Sequence, residues 1–108
     1  MSLIEIAKSI DIPEGQMKAF TADGKEILIL HQGGKFFAMA RRCPHMGGDL
    51  SLGTLDGTTI GCPRHHAHFD LQSGACVIRP KIGPLQMAAR SAAVYPVLIE
   101  GETLKIEI

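Results

Sequence analysis

Apolar and polar positions alternate with a period of two through much of the chain, broken at short intervals by glycine and proline. That pattern predicts short strands joined by tight turns. Leu3-Ile4-Glu5-Ile6 reads as a first strand, and residues 9–15, with Pro13 among them, as the loop that follows. Residues 17–22 and 26–31 flank Asp23-Gly24, a dipeptide that tolerates the positive φ of a hairpin turn, so the two runs should pair antiparallel. Gly33-Gly34 turns the chain into a strand over 35–39, and Gly101 separates strands over 94–100 and 103–108. Two more hairpins are expected there.

Between these strand-rich ends, residues 41–84 look loop-rich, with one further turn signal at Asp56-Gly57. This centre holds all three Cys, four of the five His and four of the six Pro. One segment, residues 85–93, reads as a short helix, because Leu, Gln, Met and Ala favour helix and neither Gly nor Pro interrupts them. At nine residues it would be stable only when packed, covering a sheet edge or contacting a second copy. The fold class predicted is all-β, as one domain over 1–108.

Composition narrows the function. Eleven Lys+Arg balance eleven Asp+Glu, so the basic footprint of a nucleic-acid binder is absent overall. A hydrophobic fraction of 45% against 20% charged residues predicts a folded core rather than disorder. No apolar run approaches the roughly 18 residues of a spanning helix, and no basic segment followed by an apolar stretch opens the chain. The expectation is a soluble cytoplasmic protein, and in that reducing compartment three Cys point to metal ligation rather than to a disulfide framework.

Two motifs carry the candidate chemistry: Cys43-Pro44-His45-Met46-Gly47-Gly48 and Cys62-Pro63-Arg64-His65. Each offers one soft anionic thiolate and one neutral imidazole. Two of each can hold one zinc ion or an asymmetric iron-sulfur cluster. A Cys-x-His pair is tight for chelating a single ion, whereas the spacing is natural if the Cys and His of a loop reach different irons. Gly47, Gly48 and Gly61 would let backbone N–H groups approach inorganic sulfide, and Pro44 and Pro63 would stiffen the loops. Cys76, between Ala75 and Val77, reads as a small core residue. His31 reads as a surface or edge residue, and His66 and His68 as solvated rings near the site.

These motifs closely resemble those of the Rieske iron-sulfur family. Residues 43–50 look like its first cluster loop, Cys62 to His65 through Phe69-Asp70-Leu71 and Ser73-Gly74 like its second, and 80–85 like its Pro-containing third. The resemblance implies one Rieske-type 2Fe-2S cluster, with Cys43 and Cys62 on one iron and His45 and His65 on the other. It also implies antiparallel sheets in a barrel-like base carrying a loop-built cluster-binding subdomain at about 41–84.

Departures from the high-potential members refine the expectation. Gly48 and Arg64 stand where those members carry a disulfide, and Ala67 and Phe69 where they carry a Ser and a Tyr. Each missing hydroxyl donor stabilises the reduced state less, which predicts a low potential. A chain this short leaves no room for a mononuclear oxygenase iron. The resemblance therefore implies a ferredoxin, not an enzyme, that takes electrons from a flavin reductase and passes them to a terminal oxygenase, as a monomer or dimer. Arg41, Arg42, Arg64, Arg79 and Lys81 lie within a few residues of the cluster loops and read either as a basic docking rim or as a solvated face. The alternatives are the small subunit of an assimilatory nitrite reductase, a zinc-bound structural module and a redox sensor.

Overall fold

The computed structural model describes residues 3–44, 48–63, 67–78, 81–82, 85–86 and 91–108. Three antiparallel sheets stack as layers, and the reason lies in the strand over Ile27 to Leu30. It is fully buried on both faces, so it must be covered on both sides. This strand is β3 (Lys25–Gln32). It pairs with β2 (Met17–Ala22) across the predicted hairpin and with β4 (Lys35–Ala40) across Gly33-Gly34. Asp23 and Gly24 take φ of 51° and 74°, the left-handed pair that a two-residue hairpin turn needs.

Ile27, Ile29 and Ala38 point to one side of this middle sheet and meet Leu104 and Ile106. Those two come from a sheet of three strands built from the chain ends. In it, β13 (Thr103–Glu107) lies between β1 (Leu3–Lys8) and β12 (Val97–Glu100). Leu28, Leu30 and Met39 point to the other side, where they pack with Leu50, Ile60, Phe69, Leu71 and both Cys43 and Cys62. This third layer runs in the order β5 (Thr54–Asp56), β6 (Thr59–Gly61), β7 (His68–Asp70), β8 (Cys76–Ile78).

The segment expected to be loop-rich thus contains a four-stranded sheet. Its strands have only three residues each, too few for alternation to be visible in sequence. The sheets are open, and the described strands close no barrel.

The helix expected over 85–93 is not formed across that span. Leu85–Gln86 is a strand, β10, paired with β9 (Lys81–Ile82), and residues 91–93 run without regular structure. The remaining residues, 87–90, lie outside those described. The physical reason is tertiary: Ala92 N–H donates to Gly74 O at 2.7 Å, and Ala93 O accepts from Ala40 N–H at 2.9 Å. Backbone groups that a helix would use internally instead strap the chain to two other elements, leading into β11 (Val94–Tyr95) beside β4.

His31 also departs from expectation, since β3 is interior to its sheet. Its ring stacks on Phe36 with centroids 3.9 Å apart, and Nδ1 donates to Ile12 O at 2.8 Å.

Candidate metal centre

Both candidate thiols occupy the same position in the same local structure. Cys43 follows the middle sheet, past β4 and two arginines, and its N–H donates to Gly48 O at 2.7 Å. Cys62 follows β6 directly, and its N–H donates to Ala67 O, also at 2.7 Å. In each case four residues lie between donor and acceptor, so two segments of equal length are each closed at a hairpin base. Both Cys are buried, at 3% and 4% exposure, in the single apolar core between the middle and third sheets.

Two buried thiols on matched loops fit a soft, charge-delocalised metal group, which can accept thiolates where a hard, hydrated cation would not. His45 and His65 lie outside the described residues, as do Arg64 and His66. Among the described residues alone there is no group of three or more metal-ligating side chains.

The base of the first loop is braced by side chains. Arg41 Nε and Nη2 donate to the two oxygens of Asp49 at 3.0 and 2.9 Å. Ser51 adds its N–H and hydroxyl to Asp49 Oδ1 at 3.0 and 2.6 Å. The Arg41 hydrogen bond, reinforced by Ser51, holds the Asp49 carboxyl far below the usual carboxylate range. Arg42 in turn pairs with Glu26 at 3.2 Å. Two of the five cations read as a docking rim or a solvated face are therefore matched by carboxylates. Arg64 and Arg79, and the Lys81 side chain, lie outside what is described.

The second loop is braced differently. The Thr59 hydroxyl donates to Asp56 O at 3.0 Å, so it accepts from His68 Nδ1–H at 3.3 Å. This turns the His68 ring onto Gly61, where an added Cβ would come within 3.0 Å of the ring. His68 is thus half-buried rather than solvated, and a side chain at position 61 would have to push that ring aside by a few tenths of an ångström. Cys76 is half-buried on β8, against the edge of the same core, with Sγ donating to Ile78 O at 3.3 Å.

Neither brace stood out in sequence. The Arg41 and Asp49 spacing gains meaning only once residues 41 and 50 are known to bond across a hairpin, with Leu50 N–H donating to Arg41 O at 2.8 Å.

The Rieske [2Fe-2S] domain family matches residues 2–96, nearly the whole chain. The chain belongs to this family. It is 34% identical, over 110 residues covering 100% of this chain and 95% of the relative, to the 3-phenylpropionate/cinnamic acid dioxygenase ferredoxin subunit of Shigella boydii. It is 30% identical, over 105 residues covering 97% and 94%, to the ferredoxin component of the naphthalene 1,2-dioxygenase system of Pseudomonas aeruginosa. Its fold is that of a chain in the complex of reduced oxygenase and oxidized ferredoxin of carbazole 1,9a-dioxygenase, with a TM-score of 0.77 at 24% identity over 96% and 91% of the two chains. The cofactor of this Rieske protein is one Rieske-type 2Fe-2S cluster, and the chain is an electron-transfer component rather than a catalyst in itself.

Proposed function

We propose that this Rieske protein carries single electrons from a flavin-dependent reductase to the terminal oxygenase of a ring-hydroxylating system. The reading rests chiefly on one observation: two equal hairpin loops present Cys43 and Cys62 from one apolar core. Full-length similarity to two dioxygenase ferredoxins supports the choice of partners.

In this reading residues 1–108 form a single Rieske domain whose cluster-binding part spans about 41–84. Cys43 and Cys62 hold one iron, and His45 and His65 the other. The cluster supplies a one-electron couple. The chain's own residues hold two thiolates in an apolar wall of Leu50, Ile60, Ala67 and Phe69, all at or below 1% exposure. Ala67 and Phe69 bring no hydroxyl to that wall, which supports a potential in the lower part of the roughly −150 to +300 mV Rieske range.

Contact with each partner is transient, burying below about 1,200 Å² as electron-transfer encounters do. In this reading the protein works in the cytoplasm, as a monomer or a dimer. Among the described residues no helix is long and apolar enough to cross a membrane.

The test is reconstitution. Purified protein should show the visible absorption and EPR spectrum of a Cys2His2 two-iron cluster and should restore substrate turnover when added to a flavin reductase and a dioxygenase oxygenase component. Zinc without visible absorption would overturn the cluster assignment, and a loaded protein that fails to couple the two components would overturn the carrier role. A midpoint well above about +100 mV would overturn the low-potential reading.

A further inference from the structure

The brace at the first loop combines two features that structure alone does not require together. It ties the loop's two flanks by side chains where two backbone bonds already join them. It also places a full positive and a full negative charge at the base of the loop that carries a thiol bound for a metal. Asp49 is well enclosed, its side chain 15% exposed, and Arg41 is 32% exposed. Arg41 stands two residues before Cys43, and Asp49 follows Gly48, whose carbonyl takes the Cys43 N–H. Glu26 lies 3.9 Å from Arg41 but is shared with Arg42 at 3.2 Å, so Asp49 is the principal counter-charge of Arg41.

We propose that Arg41 and Asp49 are a positioning pair for Cys43, fixing the separation of the loop's flanks while keeping the charge at the loop's base balanced. The proposal rests on the cluster-binding reading of Cys43. Its physical content is a sign. A positive charge near a redox centre favours the reduced, more negative state and raises the midpoint potential, and a negative charge lowers it. Partial burial keeps these charges from being fully screened by salt.

Asp49→Asn keeps the shape of the residue but leaves the Arg41 charge unbalanced, so the midpoint should rise. Arg41→Gln leaves the Asp49 carboxylate unbalanced, so the midpoint should fall. Loosening of the loop alone would move both variants in one direction. The double variant Arg41→Asp with Asp49→Arg restores the pair in reverse and should return the midpoint toward that of the unmodified protein. Arg41→Lys keeps the charge but loses the two-pronged grip, so it should hold the midpoint while shortening the lifetime of the bound cluster.

The experiment is a redox titration of each loaded variant followed by visible circular dichroism, with cluster loss timed in parallel. Opposite shifts in the two single variants, with recovery in the double, support the pair. Shifts of one sign, no shift in either, or a shift in Arg41→Lys as large as in Arg41→Gln overturn it. Should Asp49→Asn not load, the Arg41→Lys and Arg41→Gln comparison still decides. If the unmodified protein itself binds no iron, the failure belongs to the cluster reading and not to the pair.

Discussion

A Cβ placed on Gly53 would overlap the carbonyl oxygen of Gly61, so the chain leaving the first Cys loop runs against the strand that enters the second. Gly53 has φ of −83°, which any residue can adopt, so proximity alone demands glycine here. Its N–H also donates to Leu50 O at 3.0 Å, closing a short 3-10 turn whose cap is Asp49. Through this contact the segments that follow Cys43 and precede Cys62 share one backbone seam.

Gly53→Ala should therefore cost about 1–3 kcal/mol, the usual range for forcing extra volume into a packed site that cannot yield. Because the obstacle is backbone one residue before Cys62, the variant should also load less cluster. Thermal melts followed by circular dichroism, together with iron per chain after purification, check both effects. Full iron content with unchanged melting would mean that the two segments separate freely.

The two faces of β3 separate stability from cofactor binding. Ile29 and Leu30 are adjacent and equally buried, yet Leu30 belongs to the core that contains Cys43 and Cys62, and Ile29 to the core beneath β13. Leu30→Ala and Ile29→Ala should each lose about 2–5 kcal/mol. Only Leu30→Ala should also change the visible spectrum and cluster lifetime. Equal spectral changes in both variants would show that the middle sheet transmits strain through its full thickness.

Much of this architecture was legible in sequence because hairpins advertise themselves. Asp23-Gly24, Gly33-Gly34 and Gly101 all fall between paired strands, as the turn chemistry predicts. Residues 85–93 misled because intrinsic helix preference is weak against specific backbone partners, here Gly74 and Ala40. The four metal-ligand candidates were visible as residue types at close spacing. The supports around them were not, because Arg41 with Asp49 and His68 over Gly61 meet only after strands pair.

Acid should weaken the fold through three carboxylates held at turns. Glu14 accepts from the N–H groups of Gly34 and Gly33 at 2.6 and 2.9 Å. Asp70 accepts from the N–H and hydroxyl of Ser73 at 2.8 and 2.9 Å, and Asp49 accepts from Arg41. Those hydrogen bonds lower each carboxyl's pKa below its ordinary value in the folded protein. A depressed folded pKa contributes stability above the unfolded value of about 4 and loses it as pH falls below that toward the folded value. Urea midpoints should be flat from pH 7 to 5 and fall below about pH 4. Asp70→Asn should make that fall shallower, and an unchanged pH profile in the variant would remove Asp70 from the account.

Hydroxyl groups restored to the apolar wall should raise the potential. Ala67 and Phe69 are buried in the core that holds both thiols, and the Ala67 carbonyl already takes the Cys62 N–H. A hydroxyl donating toward a thiolate or cluster sulfur stabilises the state with more negative charge, which is the reduced one. Ala67→Ser and Phe69→Tyr should therefore each shift the midpoint upward, and the double variant further. Phe69→Tyr also tests where the hydroxyl goes. If it finds an acceptor the protein keeps its melting temperature, whereas an unsatisfied buried hydroxyl costs about 1–3 kcal/mol. A stable Tyr variant with an unmoved midpoint would mean that the hydroxyl bonds elsewhere in the wall, and would locate the control of potential outside positions 67 and 69.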